Sequence, residues 1–333
     1  MIDDKSIDIV IPWVDDSDPA WLCEYRRFKP DKNSDSSEAR YRDWNVLKYW
    51  FRSIDDFAPW VRKVHFVTWG HVPSFLDLEN PRLNIVNHKD FIPEKYLPTF
   101  SSHTIELNLH RISGLSENFI YFNDDVYLSQ PVLEEDFFVD GMPVDTAVMG
   151  VIKNVDNVSF MPYIMLNMMG IINMEFSKPE VFKAHKKKWY SMKYGKGFLK
   201  NIYLSRWDCF PGFMNYHKCN AFKKSTYQEV WDKYYDTLDE TCMNKFRSKE
   251  DVNQYLIRYW QLCKGDFVPG KPCSDYITIG NKPMEEIEKL LYDKSLKVVC
   301  INDDPMGFDF DEEQAKLEKI MEKKFPNKSS FEI

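Results

Sequence analysis

Asn123, Asp124 and Asp125 end an aromatic, apolar run, and that juxtaposition is the chain's clearest offer of chemistry. Such a run gains most by being buried as a strand, which leaves the carboxylates at its mouth. Two adjacent acids there repel each other unless a cation, a proton or strong donors neutralise them. A hard divalent metal fits, because Mg2+ takes oxygen ligands and is usually held by one or two carboxylates together with substrate phosphates. The same letters also fit a strand followed by an Asp-rich turn. Just upstream, His103, Glu106 and His110 share one face of a predicted helix whose apolar side is Ile105, Leu109 and Ile112. That face can look into the same site; a structural role for His110 is the other reading.

The elements that would position these residues follow from periodicity. IDIVIPWV (7–14) is a β-rich run that stops at Asp15, Asp16 and Asp18 with Pro19, so a buried first strand feeds a polar loop. Residues 29–39 are polar and turn-rich and read as a mobile loop. Val46, Leu47, Trp50, Phe51 and Ile54 recur at helical spacing, predicting a helix over 41–57 closed before Pro59, with Arg42 and Asp43 in its first turn. Runs 61–69 and 82–88 read as two further strands. Strand and helix alternate, which is the grammar of an α/β fold with an open, mostly parallel sheet. Ligands in such sheets bind beyond the carboxyl ends of the strands, where Asp15, Thr68 and Asn123 to Asp125 would gather. Past residue 180 the pattern is more helical and charged, with helices expected at 226–238, 249–263 and about 311–325 and a short strand at 298–302. This divides the chain into an α/β core over 1–180 and a helical, loop-rich region over 181–333.

Composition narrows the function. A 44% apolar and 16% aromatic content excludes a wholly disordered chain, and the net charge of −8 argues against a general nucleic-acid binder. No apolar run approaches the ~20 residues of a membrane span, and the N-terminus lacks a signal-like core, so a cytoplasmic location is expected. Seven widely spaced cysteines without a CxxC pair read as reduced, mostly buried thiols. One segment departs from the acidic average. Residues 183–206 hold eight Lys or Arg and no acid, interleaved with Trp189, Tyr190, Tyr194, Phe198 and Tyr203. That mixture suits an anionic membrane surface or a phosphate-bearing acceptor, and equally a solvated helix face.

The blocks IDIVIPWVDDSDPAW (7–21), the long stretch 40–93 beginning RYRDWNVLKYW, and LPTFSSHTIELNLHRISGLSENFIYFNDDVYLSQPV (97–132) resemble the Stealth family of sugar-1-phosphate transferases. Residues 238–262 are similar to the family's C-terminal blocks. The resemblance implies a nucleotide-sugar transferase fold. It also implies transfer of a hexose-1-phosphate or N-acetylhexosamine-1-phosphate from a UDP-sugar to an acceptor hydroxyl, with release of UMP. The acceptor would be an oligosaccharide or polysaccharide of a capsule or cell surface, free or lipid-linked, and in the lipid-linked case peripheral membrane contact is expected. By the same resemblance Asp124 and Asp125 hold a divalent metal, Mg2+ or Mn2+, beside the diphosphate, and Asn123 orients a ligand there. Asp15 and Asp18, in the WVDDSDP block, help form the nucleotide-sugar pocket, supported by Arg42 and Asp43 in RYRD. Arg247, in KFRSKED, is the phosphate-binding cation, since a guanidinium can hold two phosphate oxygens at once. His217 is the leading general base and His103 the reserve. The chain departs from the family's pattern after His217, where Cys219 and Ala221 stand at the expected proline positions, and at Asp16, where relatives commonly have Gly.

Two other functions use the same inventory. A metal-dependent nucleotide-sugar glycosyltransferase would attack carbon and release UDP. A non-catalytic saccharide-binding protein would draw on the ten Trp and eighteen Tyr as stacking surface.

Overall fold

Ile7, Ile9 and Ile11 alternate with Asp8 and Val10 and form the central strand in the computed structural model, which describes residues 6–28, 43–154, 159–303 and 309–333. The strands are β1 (Ile7–Pro12), β2 (Val64–Thr68), β3 (Leu83–Asn87), β4 (Asn118–Tyr121), β5 (Val126–Leu128), β6 (Phe138–Val139), β7 (Met142–Asp145), β8 (Asn220–Lys223), β9 (Val268–Pro269), β10 (Ser274–Thr278) and β11 (Val298–Asn302). The main sheet has five strands in the order β3-β2-β1-β4-β8, all parallel except β8. An open, mostly parallel sheet was the expectation, and its last strand comes from beyond residue 180. β5 leaves the main sheet for a second one, ordered β10-β11-β5.

Both faces of the main sheet are covered, which is why its strands read as near-continuous apolar runs. Val10, Phe119 and Tyr121 point into one hydrophobic cluster, with the helices Met161–Glu175, Lys224–Lys233 and Tyr255–Lys264. Ile9, Ile11, Ile120 and Phe122 point into the other, against the helix Leu47–Phe57, the second sheet and the C-terminal helices Met284–Tyr292 and Phe310–Lys324. One charge lies inside the sheet. Asp8 is fully buried and accepts from Arg62 Nη2 at 2.5 Å, from the Ser116 backbone at 2.8 Å, and lies 3.1 Å from His65 Nε2. Those partners precede or belong to the neighbouring strands, so one carboxylate aligns β1, β2 and β4.

The boundaries differ from the periodicity in instructive places. The polar loop expected after β1 is short, because a helix, Pro19–Phe28, follows at once, capped by Asp18 and begun by proline. The helix predicted from 41 begins at Leu47, because the Asp43 side chain takes the Asn45 backbone N–H and Asn45 adopts a left-handed φ of 56°. The helix predicted from 249 begins at Tyr255, because Asp251 and Asn253 turn their side chains onto nearby backbone N–H groups. Residues 226–238 fall in two helices, Lys224–Lys233 and Tyr235–Met243. The loop expected at 29–39 and the site candidate Arg42 lie outside the described residues.

The second half is tied to the core through Arg258, on the helix Tyr255–Lys264. Its guanidinium is 2% exposed and donates to Asp145 through Nε at 2.6 Å and Nη2 at 3.1 Å. The remaining N–H groups reach Thr146 O, Met214 O and Asn215 Oδ1 at 3.0 to 3.2 Å, so the fork is fully satisfied. Lys218 adds a contact to Asp145 at 3.1 Å. Burial alone would raise the Asp145 pKa, but the Arg258 and Lys218 charges hold it well below the usual carboxylate range. Removing one partner strands the other charge. Asp145→Ala is expected to cost about 3–5 kcal/mol in urea unfolding at neutral pH. Because the folded pKa is depressed, the pair's contribution is present above the unfolded value of about 4 and fades as pH falls below it, so parent and variant should converge in acid.

Candidate active site

The chain leaves β4 through Phe122, which is wholly buried, and turns at Asn123–Val126 with the Val126 N–H on Asn123 O at 3.2 Å. The turn is short because β5 must start at once. Its partner β11 fixes it through the Ile301 N–H on Asp125 O at 2.8 Å and the Cys300 thiol on Asp125 Oδ2 at 3.3 Å. Asp124 and Asn123 are exposed to water and Asp125 is half-buried. Asp125 Oδ1 is buried and meets no protein donor among the described residues.

Electrostatics make this turn an unsatisfied acid pair. The surrounding protein pushes the Asp124 pKa up to about 7, and the neighbouring Asp125 and Asp43 charges push the same way. Burial raises Asp125 to about 6 against the Cys300 hydrogen bond. Asp43 is itself raised, by burial and then by Asp15 and Glu318, so Asp15, Asp43, Asp124 and Asp125 lie within electrostatic reach in sequence. An orphaned buried carboxylate oxygen beside a second acid fits a hard cation. Among the described residues no group of three or more His, Cys, Asp or Glu lies close enough to hold one. The protein would therefore supply these two carboxylates, leaving the other positions to phosphate oxygens and water.

Other expected residues are sorted by the fold. Asp18 caps the helix Pro19–Phe28 through the Ala20 and Trp21 N–H groups at 2.7 and 3.2 Å and faces His71 Nδ1 at 3.4 Å. His71 in turn accepts the Asp15 N–H at Nε2, 2.8 Å away, and Asp15 Oδ1 takes Ser17. Thr68 is buried and spends its hydroxyl on His71 O and Gly70 N. The loop after β2 thus shapes the loop after β1. Of the helical face expected to look into the site, now Ser102–Asn108 with a following 3-10 turn, all three members are buried. His110 stacks on Tyr227 in the core. Glu106 meets the Tyr121 hydroxyl at 3.3 Å, and Tyr121 lies within reach of the Asp124 and Arg247 charges. His103 is 2% exposed, with Nδ1 2.8 Å from Asp251 Oδ2. Asp251 also holds the Ser248 N–H and the Asn244 amide. Arg247, one residue before Ser248, donates to Ser102 Oγ at 2.7 Å.

His217 arrives from the other side. β8 runs antiparallel to β4 with Asn220 opposite Tyr121, so the residues just before Asn220 project past the same end of the sheet as Asn123 to Asp125. The His217 ring lies on Tyr276, centroids 4.2 Å apart, and Tyr276 is paired in register with Cys300, whose thiol holds Asp125. The crowding lowers the His217 pKa and keeps the imidazole neutral at pH 7. Its loop is clamped on both sides, at Asn215 by Arg258 and Tyr259 and at Lys218 by Asp145. Asp251, Tyr276 and His71 were not among the residues expected at the site. An acid four residues after Arg247 was the one available signal for Asp251; Tyr276 becomes visible only with the β10–β11 pairing.

The acid pair opposes folding of the metal-free protein. Both pKa values lie above the unfolded value of about 4, so folding holds protons that ionisation removes, and stability declines as pH rises from about 4 through about 7. Asp124→Asn should melt at or above the parent temperature at about pH 8, with the difference shrinking toward pH 4. A lower melting temperature throughout would show that Asp124 stabilises the fold.

Comparison with known proteins agrees with the conserved blocks. Residues 5–32 match the description "Stealth protein CR1, conserved region 1", and residues 40–144 match "Stealth protein CR2, conserved region 2". The chain is 42% identical over 332 residues to "Capsular polysaccharide phosphotransferase WcwK" of Streptococcus pneumoniae, covering 98% of each. It is 36% identical over 332 residues to "Exopolysaccharide phosphotransferase cps2G" of Lactiplantibacillus plantarum, covering 98% of this chain and 96% of the relative. A crystal structure of galactosyltransferase LgtC with donor and acceptor sugar analogs aligns over 95% of each chain at 10% identity and a TM-score of 0.39, too loose a likeness to bear on fold or reaction. With near full-length relatives and both conserved regions in place, the chain belongs to the Stealth family of sugar-phosphate transferases.

Proposed function

We propose that this enzyme transfers a hexose-1-phosphate or N-acetylhexosamine-1-phosphate from a UDP-sugar to a hydroxyl of a capsular or cell-surface polysaccharide. The observation that carries the reading is the acid turn, with its raised pKa values and the orphaned Asp125 Oδ1, in a chain whose relatives are named polysaccharide phosphotransferases. The acceptor oxygen attacks the phosphorus that carries the sugar. The bond from that phosphorus to the bridging oxygen of UMP breaks, UMP leaves with the electron pair, and the hydroxyl proton passes to a base. The sugar keeps its anomeric configuration because its carbon is untouched.

Asp124 and Asp125 would hold Mg2+ or Mn2+, which when bound supplies positive charge to the diphosphate. Asn123 orients a ligand at the rim. Arg247, steadied by Ser102 and by the Asp251-held loop, is the phosphate-binding cation. Asp15 and Asp43 shape the nucleotide-sugar side, with Arg42 assigned there by the RYRD block; Asp18 acts through its helix cap and His71. His217 takes the acceptor proton, since it is neutral and exposed to an incoming sugar, whereas His103 is enclosed and serves best to position the Arg247 loop. The acceptor is an oligosaccharide or polysaccharide on a lipid carrier, placing the enzyme at the cytoplasmic face of the membrane.

The test is incubation with UDP-sugars, Mn2+ and a candidate acceptor, followed by identification of the nucleotide and of the phosphorus linkage by 31P NMR. UMP and a phosphodiester are expected. Stoichiometric UDP would replace this reading with glycosyl transfer to carbon. Asp124→Ala or Asp125→Ala, or exhaustive chelation, should lower turnover at least about a hundredfold without unfolding the protein. His217→Gln should remove the pH-dependent limb assigned to the base, and an unchanged pH profile would move that role to His103.

A further inference from the structure

The helix Gly197–Leu204 turns a polar side chain inward and three apolar ones outward. Its inward side chains are the polar Asn201, bonded to Met149 N, Ala147 O and Trp189 O at 2.7 to 2.8 Å, and Leu204. Its outward side carries Leu199, Ile202 and Tyr203, at spacings of three and four residues, with Leu199 64% and Tyr203 73% exposed. Trp207 and Met192 are exposed beside it along the chain, as is Met174 at the end of the helix Met161–Glu175. These parts are held as one surface. The buried Lys178 ammonium donates to Leu204 O at 2.8 Å, to Ser205 O at 3.2 Å and to Trp207 O, satisfying the helix end. The Asn173 amide clasps the Phe210 backbone at 2.8 and 3.0 Å.

Cations surround these apolar side chains. Lys193, Lys196, Lys200 and Arg206 are exposed, as are Lys186 and Lys187, while Lys188 is spent on Gly265 O. Of the nearby acids, Glu175 is paired with Lys233, and Asp208 follows Trp207. We propose that this face docks on an anionic lipid bilayer, with Leu199, Ile202, Tyr203 and Trp207 entering the headgroup region and the lysines meeting lipid phosphates. Apolar and amphipathic side chains ringed by cations suit that interface. A second copy of the chain would bring six exposed cations against the same six, with the acid Asp208 beside them, so self-association is disfavoured.

The docking face borders the site. Lys200 Nζ lies 3.5 Å from Met214 Sδ, and Met214 belongs to the clamped loop that ends in His217. This names the membrane partner of the function proposed above and rests on it for meaning, but lipid binding itself is measured without any reaction. The full chain, free of metal and UDP-sugar, is floated with vesicles of phosphatidylcholine alone or mixed equally with phosphatidylglycerol, at low and high salt. Two variants are compared, Leu199→Ser/Ile202→Ser/Tyr203→Ser and Lys187→Glu/Lys193→Glu/Lys196→Glu, each checked by circular dichroism and size-exclusion chromatography. The parent should bind the anionic vesicles selectively. Each cation contributes on the order of fivefold, so the charge variant should bind at least about tenfold more weakly. The apolar variant should lose the binding that survives high salt. Failure of the parent to bind at low salt, equal binding by all three, or a parent dimer that both variants abolish would overturn the proposal. Transfer to a water-soluble acceptor, unchanged in both variants, separates this outcome from failure of the reaction itself.

Discussion

The Asp145–Arg258 ion pair is the constraint on which the arrangement of the site depends. A guanidinium taken from water is tolerable only if every N–H finds an acceptor, and here the acceptors come from three places: the end of β7, the Met214–Asn215 backbone and side chain, and Thr146. Satisfying one side chain therefore fixes the relation between the helix Tyr255–Lys264, the strand β7 and the loop carrying His217. That loop carries Cys219 and Ala221 where the family resemblance led prolines to be expected. Backbone restriction by proline and anchoring by a buried charge achieve the same end, a loop with few conformations to lose on binding substrate. The charge version adds a cost, since the clamp weakens when Asp145 takes up a proton.

The acid turn has the opposite character. β4 and β5 are joined so tightly that Asp124 and Asp125 cannot separate, and β11 prevents the turn from opening by holding Asp125 through backbone and thiol. The fold spends stability to keep two like charges together. Such local strain persists only when the surroundings over-determine it, and the surroundings here come from both ends of the chain: β4 and β5 near residue 120, β10 and β11 near 300, β8 and His217 between them. A site assembled from strands distant in sequence can be completed only once both sheets have formed.

Features governed by local sequence were legible, and those governed by pairing across the chain were not. β1, β2 and β3 could be read because covered parallel strands are largely apolar, and the acid pair because an aromatic apolar run there ends on two adjacent carboxylates, as the run of β1 ends on Asp15 and Asp16. Two helix starts came later than expected, and one helix was not expected at all, for one local reason: Asp43 and Asp251 turn side chains onto nearby backbone N–H groups and delay a helix, and Asp18 does so and begins one. Apolar periodicity does not report that competition. The Tyr276–His217 stack and the Asp251–His103 pair join residues about sixty and a hundred and fifty positions apart, and no pattern within either segment encodes them.

Burial also resolves the basic, aromatic segment, whose composition fits two readings. Trp189 and Tyr194 are core residues, packed inside, and Phe198 is half-covered, so part of the interleaving seen in the sequence is simply the inner face of a surface layer. Tyr203 and Trp207 lie outside with Leu199 and Ile202, and for these a solvated helix face is a poor account, because a solvated face would carry the polar side chain outward and the apolar ones inward. The helix Gly197–Leu204 instead turns Asn201 inward and Leu199, Ile202 and Tyr203 outward, and Lys178 and Asn201 spend several hydrogen bonds holding it that way. A protein that fixes apolar side chains outward with buried polar anchors has made their exposure part of the structure, which is the physical basis for assigning them an apolar partner beside the loop that carries His217.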